Sequence, residues 1–192
     1  MPVCNWTVVI PVKGTPTAKS RLGASPDLAL AIALDTVGEA RGAAKVIVVT
    51  SAPLAPDFEI PGVRVILDAE AGLNAAARQG IAAAGDDPVA VLLGDLPALR
   101  SVELAAALEL AAKHPLAFVA DADNDGTVLI TALDPARHAP AFGAHSRAAH
   151  LAAGYVELDI PVDSGLRRDV DTPDQLFALG DRVGRRTRAA MS

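Results

Sequence analysis

Short runs of β-branched and aliphatic residues alternate along this chain with longer, alanine- and leucine-rich stretches of helical length. The short runs are Trp6 to Val12, Lys45 to Thr50, Val63 to Leu67, Val89 to Leu93, Leu116 to Ala120, Thr127 to Thr131 and Tyr155 to Leu158. Runs of this size bounded by Gly, Pro and Asp read as strands, and those apolar at every position read as strands covered on both faces. The longer stretches carry helix-start chemistry. Ser25-Pro26-Asp27 offers an N-cap, a proline for the first turn and an acid for the macrodipole. Gly72-Leu73-Asn74 and Ser101-Val102-Glu103 open two further helices, and Ser146 opens one that ends at Gly154. Thr172-Pro173 with Gln175 forms a capping box with proline at N1. Strand-helix alternation of this kind predicts a single three-layer α/β/α domain over residues 1–192 with a mostly parallel sheet. From about residue 184 the tail Arg185-Arg186-Thr187-Arg188 reads as a frayed, solvated end.

Composition narrows the function. Of 192 residues 51% are hydrophobic but only 3% aromatic, so the core is built from Ala, Val and Leu. A formal charge of −6 argues against a nucleic-acid footprint, which needs a basic face, yet leaves room for a local cationic pocket. The one cysteine, Cys4, can form no intramolecular disulfide and gives no zinc-ligand spacing. No run approaches the ~20 apolar residues of a membrane span, and no basic-then-apolar leader opens the chain. The expectation is a cytoplasmic protein.

In open α/β sheets ligands bind outside the carboxyl ends of the strands. Asp95 stands there, after Gly94 and before the strand-ending Leu96-Pro97; turn capping accounts for it about as well. Lys13, Lys19 and Arg21 lie in the loop that leaves the first strand and suit a phosphate-binding role. That loop is neither familiar nucleotide motif: no two glycines stand two apart, and Gly80 with Gly85 continues into Asp86 instead of Lys. Asn74 suits either a base or ribose contact or a helix cap. Phe142-Gly143 with Ser146 as N-cap and Arg147 resembles an anion site at a helix start. His145 and His150, five apart, miss the spacing of a metal pair. Asp169 and Asp171 share a face if extended. The Asp121-Ala122-Asp123-Asn124-Asp125-Gly126 stretch lacks the closing Glu of a calcium loop and reads as a turn with outward carboxylates. Separated carboxylates and cations on one rim suggest a metal-bound polyphosphate. With no nucleophile–base pair in view, the chemistry is alignment and charge neutralisation.

Taken together, Pro11-Val12-Lys13 through Ala18-Lys19-Ser20-Arg21-Leu22, Gly72-Leu73-Asn74, Gly94-Asp95-Leu96-Pro97-Ala98-Leu99, Phe142-Gly143-x-x-Ser146 and Gly165-Leu166-Arg167-x-Asp169-Val170-Asp171-Thr172-Pro173 resemble the guanylyltransferases of coenzyme F420 biosynthesis. The resemblance implies a GT-A-like nucleotidyltransferase fold, Mg²⁺ as cofactor, and transfer of GMP from GTP to phosphoenolpyruvate or 2-phospho-L-lactate. By position it implies Asp95 and Lys19 as catalytic groups and Lys13, Arg21 and Asn74 at the nucleotide. Thr127, Gly143 and Ser146 would hold the small phosphorylated three-carbon acid, and Asp95 with Asp169 or Asp171 the metal. No nucleic acid or membrane partner is implied, and a homodimer is allowed. The rivals are a molybdenum-cofactor-type guanylyltransferase and a non-catalytic nucleotide-binding subunit.

Overall fold

A computed structural model describes residues 5–12, 25–69 and 71–191. Its frame is one seven-stranded sheet: β1 (Thr7–Val12), β2 (Lys45–Thr50), β3 (Val63–Leu67), β4 (Val89–Leu92), β5 (Leu116–Ala120), β6 (Thr127–Ala132) and β7 (Val156–Glu157). The spatial order is β3-β2-β1-β4-β6-β5-β7. β6 alone runs against the others, pairing antiparallel with both β4 and β5. Its amino end therefore lies on the rim where its neighbours have their carboxyl ends: Ala120 pairs with Thr127, and the Leu93 amide donates to the Val128 carbonyl at 2.9 Å. The expected mostly parallel sheet is present, with one reversal that decides what reaches the rim.

Among the described residues six α-helices accompany the sheet: α1 (Pro26–Ala43), α2 (Leu73–Ala84), α3 (Ser101–Ala111), α4 (Ser146–Ala152), α5 (Pro173–Leu179) and α6 (Arg185–Ala190). α1 begins at Ser25, whose side chain accepts from the Leu28 amide at 3.2 Å, and α5 at the Thr172–Gln175 capping box. Alternate residues of the central strands feed two apolar layers. Val8, Ile10, Val46, Val48, Ala90 and Leu92 pack with α1 and α3; Val9, Ile47, Val49, Val89 and Val91 pack with α2. Gly80 of α2 lies directly against Val9, where a Cβ would collide with the valine methyl.

The tail departs from expectation. Residues 185–190 form α6, docked on α1, and Thr187 is fully buried. The cause is Asp35, a buried carboxylate of α1 that accepts from the amides of Arg186 at 3.2 Å and Thr187 at 2.8 Å. It thereby caps the first turn of α6, where the macrodipole favours an anion. Gly184 makes the approach possible, since a Cβ there would strike that carboxylate. Among the described residues no helix is long and apolar enough to cross a membrane.

Candidate active site

The site is built on the carboxyl rim of the sheet. Two residues beyond the end of β4 comes Gly94, where a Cβ would stand 3.3 Å from the Val12 side chain, so the chain passes close over β1 before presenting Asp95. The segment after Asp95 is held on three sides. Thr36 donates its hydroxyl to the Ile32 carbonyl at 3.0 Å and accepts from the Leu96 amide at 3.2 Å. The Val170 amide donates to the Asp95 carbonyl at 3.1 Å, and the Gly184 amide to the Pro97 carbonyl at 2.8 Å. Gly165 crosses directly over Ala98, where any side chain would overlap the Ala98 carbonyl. Ser164 and Gly165 both donate to the Glu103 carboxylate at 2.9 Å, fixing that crossing.

The crossing sets Asp169 beside Asp95. Val170 is buried between its two acidic neighbours, while Asp171 stays exposed. Burial, followed by the charges of Asp95, Asp121 and Asp171, pushes the Asp169 carboxyl up to about 8. Neither flanking arginine relieves it. Arg167 is buried and donates to the carbonyls of Ala120 at 3.0 Å, Ile160 at 2.9 Å and Asp121 at 2.6 Å, and to the Asn124 side chain at 2.6 Å. No ion pair joins Asp169 to Arg167 or Arg168. The mere neutralisation of a neighbouring arginine therefore does not explain this aspartate.

The acidic turn divides. The carboxylate of Asp121 folds inward, accepting from the amides of Asp125 at 3.1 Å and Gly126 at 2.8 Å, and its charge is felt at Asp169. This corrects the expectation of outward carboxylates for Asp121; Asp123 and Asp125 are exposed as expected. Asp125 meets His145 at 2.8 Å, an exposed pair in which the hydrogen bond holds the imidazole above and the carboxylate below its ordinary value.

On the other side of β6 lies a buried, neutral cluster. Thr127 is buried, and its Oγ1 is 3.0 Å from Nδ1 of His150 on α4. Nε2 of the same ring accepts from the Ala141 amide at 3.1 Å. His150 is fully buried against Phe118, Phe142 and Tyr155, and that burial pushes its pKa down to about 4. Asn74 sends its amide nitrogen to the Phe142 carbonyl at 2.9 Å and accepts from the Phe142 amide at 2.8 Å. It thus fixes the peptide next to Gly143, which has φ 140°.

Ser146 is buried as the first residue of α4. It is not the N-cap that the sequence suggests: His145, in the left-handed conformation at φ 56°, occupies that place. The amides of Ser146 and Arg147 are already given to the carbonyls of Gly143 at 3.2 Å and Asp125 at 3.1 Å. The Arg147 guanidinium turns away to Glu157 at 2.8 Å. The start of α4 is thus not a bare helix N-terminus with free amides.

The structure gathers Asp95, Asp169 and Asp121 on one side, with Thr127, Asn74, Gly143 and Ser146 on the other. Lys13, Lys19 and Arg21 lie outside the described residues. Sequence reasoning missed His150, which it weighed only as a metal ligand. The available signal was its position four residues after Ser146, which puts the two on one helix face. Among the described residues no three carboxylates or imidazoles converge as a closed metal cage.

The fold is shared with solved nucleotidyl transferase structures. A nucleotidyl transferase from Methanothermobacter thermautotroptrophicus superimposes with a TM-score of 0.67 at 20% identity, covering 92% of this chain and 96% of the other. Rv0371C from Mycobacterium tuberculosis H37Rv, solved in complex with manganese, gives 0.65 at 19% identity, covering 93% and 100%. Within that fold residues 6–176 match the family described as Guanylyl transferase CofC like, and the chain belongs to it. It is 45% identical to the phosphoenolpyruvate guanylyltransferase of Streptomyces scabiei (strain 87.22), over 97% of this chain and 95% of the relative. Identity to the Streptomyces coelicolor protein of the same name is 46%, over 96% and 95%.

Proposed function

We propose that this protein transfers GMP from GTP to phosphoenolpyruvate, as the guanylyltransferase step of coenzyme F420 biosynthesis. The observation that carries this reading is the pairing of two unlike half-sites on one rim. A cluster of hard oxygen donors around Asp95 and Asp169 lies on one side of β6, and a neutral cluster of hydroxyl and amide groups around Thr127, Gly143 and Ser146 lies on the other. Near-full-length similarity to phosphoenolpyruvate guanylyltransferases supports the choice of acid.

An oxygen of the acid's phosphate attacks the α-phosphorus of GTP. The bond from that phosphorus to the oxygen bridging to the β-phosphate breaks, and pyrophosphate leaves with the electron pair. The acceptor needs little deprotonation, because a phosphate monoester has its second pKa near about 6. The chain's work is to align two anions and neutralise their repulsion. Thr127, Gly143 and Ser146 hold the acid, and Asn74 keeps the Gly143 loop in place for it. Lys13, Lys19 and Arg21 take the GTP phosphates.

Asp95 and Asp169 would hold Mg²⁺, with Asp171 supporting from outside. The donor set fits: burial and then the neighbouring carboxylates raise Asp169, a cation would offset both, and Mg²⁺ typically uses about one or two carboxylates together with waters and substrate phosphates. When bound, the ion supplies charge neutralisation at the reacting phosphates.

The test is a competition assay with GTP, Mg²⁺ and equal phosphoenolpyruvate and 2-phospho-L-lactate, the products being identified by mass. The guanylylated enolpyruvate adduct with matching pyrophosphate is expected. Predominance of the lactate adduct would overturn the choice of acid, and no pyrophosphate with either would overturn the reaction.

A further inference from the structure

We infer that His150 is a positioning residue for the acid acceptor: the Ala141 amide fixes its tautomer, and the ring in turn presents the Thr127 hydroxyl to the substrate as a donor. The inference rests on the placement of the acid beside Thr127.

The hydrogen bonds determine the tautomer. A backbone N–H can only donate, so the contact from Ala141 at 3.1 Å requires a lone pair on Nε2 of His150. A neutral ring then carries its proton on Nδ1. That nitrogen faces Thr127 Oγ1 at 3.0 Å and can only donate to it. The threonine cannot give its own proton to the ring, so the hydroxyl hydrogen is directed elsewhere. The opposite tautomer would set two donors against each other at Ala141 and would draw the threonine proton inward.

The ring is kept neutral by its surroundings. It is wholly buried among Phe118, Phe142 and Tyr155. Its titratable neighbours are Tyr155 and His138, and no carboxylate is paired with it among the described residues. A substrate carrying a phosphate and a carboxylate brings only acceptors. A hydroxyl that presented lone pairs would repel it, and one that presents its hydrogen binds it. The tautomer of one buried histidine therefore sets the sign of this contact. The same ring also joins the Ala141–Gly143 wall of the pocket to the Thr127 wall.

His138 supplies an internal control. Its Nε2 faces the Val89 carbonyl at 2.9 Å, which can only accept, so His138 carries its proton on Nε2. Nitrogen-15 spectra of the histidine rings in the ligand-free wild-type protein should show two buried histidines of opposite tautomer. His150 should have a pyrrole-type Nδ1 and a pyridine-type Nε2. A pyridine-type Nδ1 on His150 would overturn the inference without any assay of activity.

Kinetics supply the second arm. The amide nitrogen of asparagine reaches about as far as Nδ1 of histidine, whereas that of glutamine reaches as far as Nε2. His150→Gln should raise the KM for phosphoenolpyruvate about tenfold, the loss of one hydrogen bond to a charged group. The KM for GTP should change less than about twofold. His150→Asn should recover most of the acid affinity. In a Thr127→Val background His150→Gln should add nothing, since the hydroxyl it orients is gone. Equal rises in both KM values, or full additivity with Thr127→Val, would overturn the inference. If His150→Gln fails to fold, the wild-type spectra and the His150→Asn and Thr127→Val variants carry the test. A wild-type protein that releases no pyrophosphate would remove the acid from the pocket while leaving the tautomer result standing, so the two failures are distinguishable.

Discussion

The two halves of the rim solve opposite problems. Around Asp95 and Asp169 the chain brings like charges together and supplies no cation from the described residues to Asp169, whose carboxyl rises to about 8. Around Thr127 and His150 the polar contacts are neutral and matched: amide to imidazole, imidazole to hydroxyl, Asn74 to the N–H and the carbonyl of Phe142. In the proposed function the first half receives a cation and phosphates. The second is preorganised before its ligand enters. A reaction between two anions needs both, because neutralisation lowers the repulsion and preorganisation holds the attacking oxygen in line.

The largest effect should come from breaking the charged half at its strand end. Asp95→Asn is expected to lower turnover on the order of 10²–10³-fold, as does the loss of one preorganised polar group elsewhere. Its backbone contacts to Val170 survive, so the melting temperature should hold. Activity above a tenth of wild type with unchanged melting would remove Asp95 from the chemistry.

Next comes the pH response of the neutral half. His150 titrates at about 4 in the folded protein against an ordinary 6.5. The unfolded chain therefore binds a proton first as pH falls, and the stability from the neutral ring is full above about 6.5 and lost on the way down to about 4. The gap corresponds to about 3 kcal/mol. His138, lowered by burial in the same direction, adds to it. Chemical denaturation between about pH 7 and pH 4.5 should show the stability advantage of wild type over His150→Gln shrinking with acid. Parallel curves would show that the ring is not held neutral.

Within the charged half, Asp169→Asn should shift the Mg²⁺ requirement further than Asp171→Asn. The exposed Asp171 should cost about 10–100-fold, as expected for a group that supports a ligand without being one. A larger shift for Asp171→Asn in a Mg²⁺ titration of activity would reverse the two roles.

The smallest effect sharpens the boundary between the halves. Ser146→Ala should raise the KM for the acid by up to about tenfold and leave that for GTP nearly unchanged, since it removes one hydrogen bond to a charged group. Equal changes in both would leave Ser146 as a structural residue of α4.

Strand and helix positions were legible because they are local. Patterns of two and of three to four residues, with Ser25, Thr172 and the flanking prolines, need no knowledge of the rest of the chain. The place of Asp95 on the carboxyl rim was legible because a carboxylate after a buried strand has a fixed place in any α/β sheet. Other features needed partners far away in sequence. The docking of α6 depends on Asp35, some 150 residues earlier, so the basic tail looked solvated. The burial of Arg167 depends on carbonyls brought together by β5 and the residue 160 region. The reversal of β6, which carries Thr127 to the rim, is a matter of sheet order and leaves no local mark. His150 shows the division at one residue. The sequence by itself determined that an imidazole stands one helical turn after Ser146. The tertiary structure decided which of its nitrogens holds the proton, because that depends on a hydrogen-bond donor at Ala141 meeting the ring across the pocket.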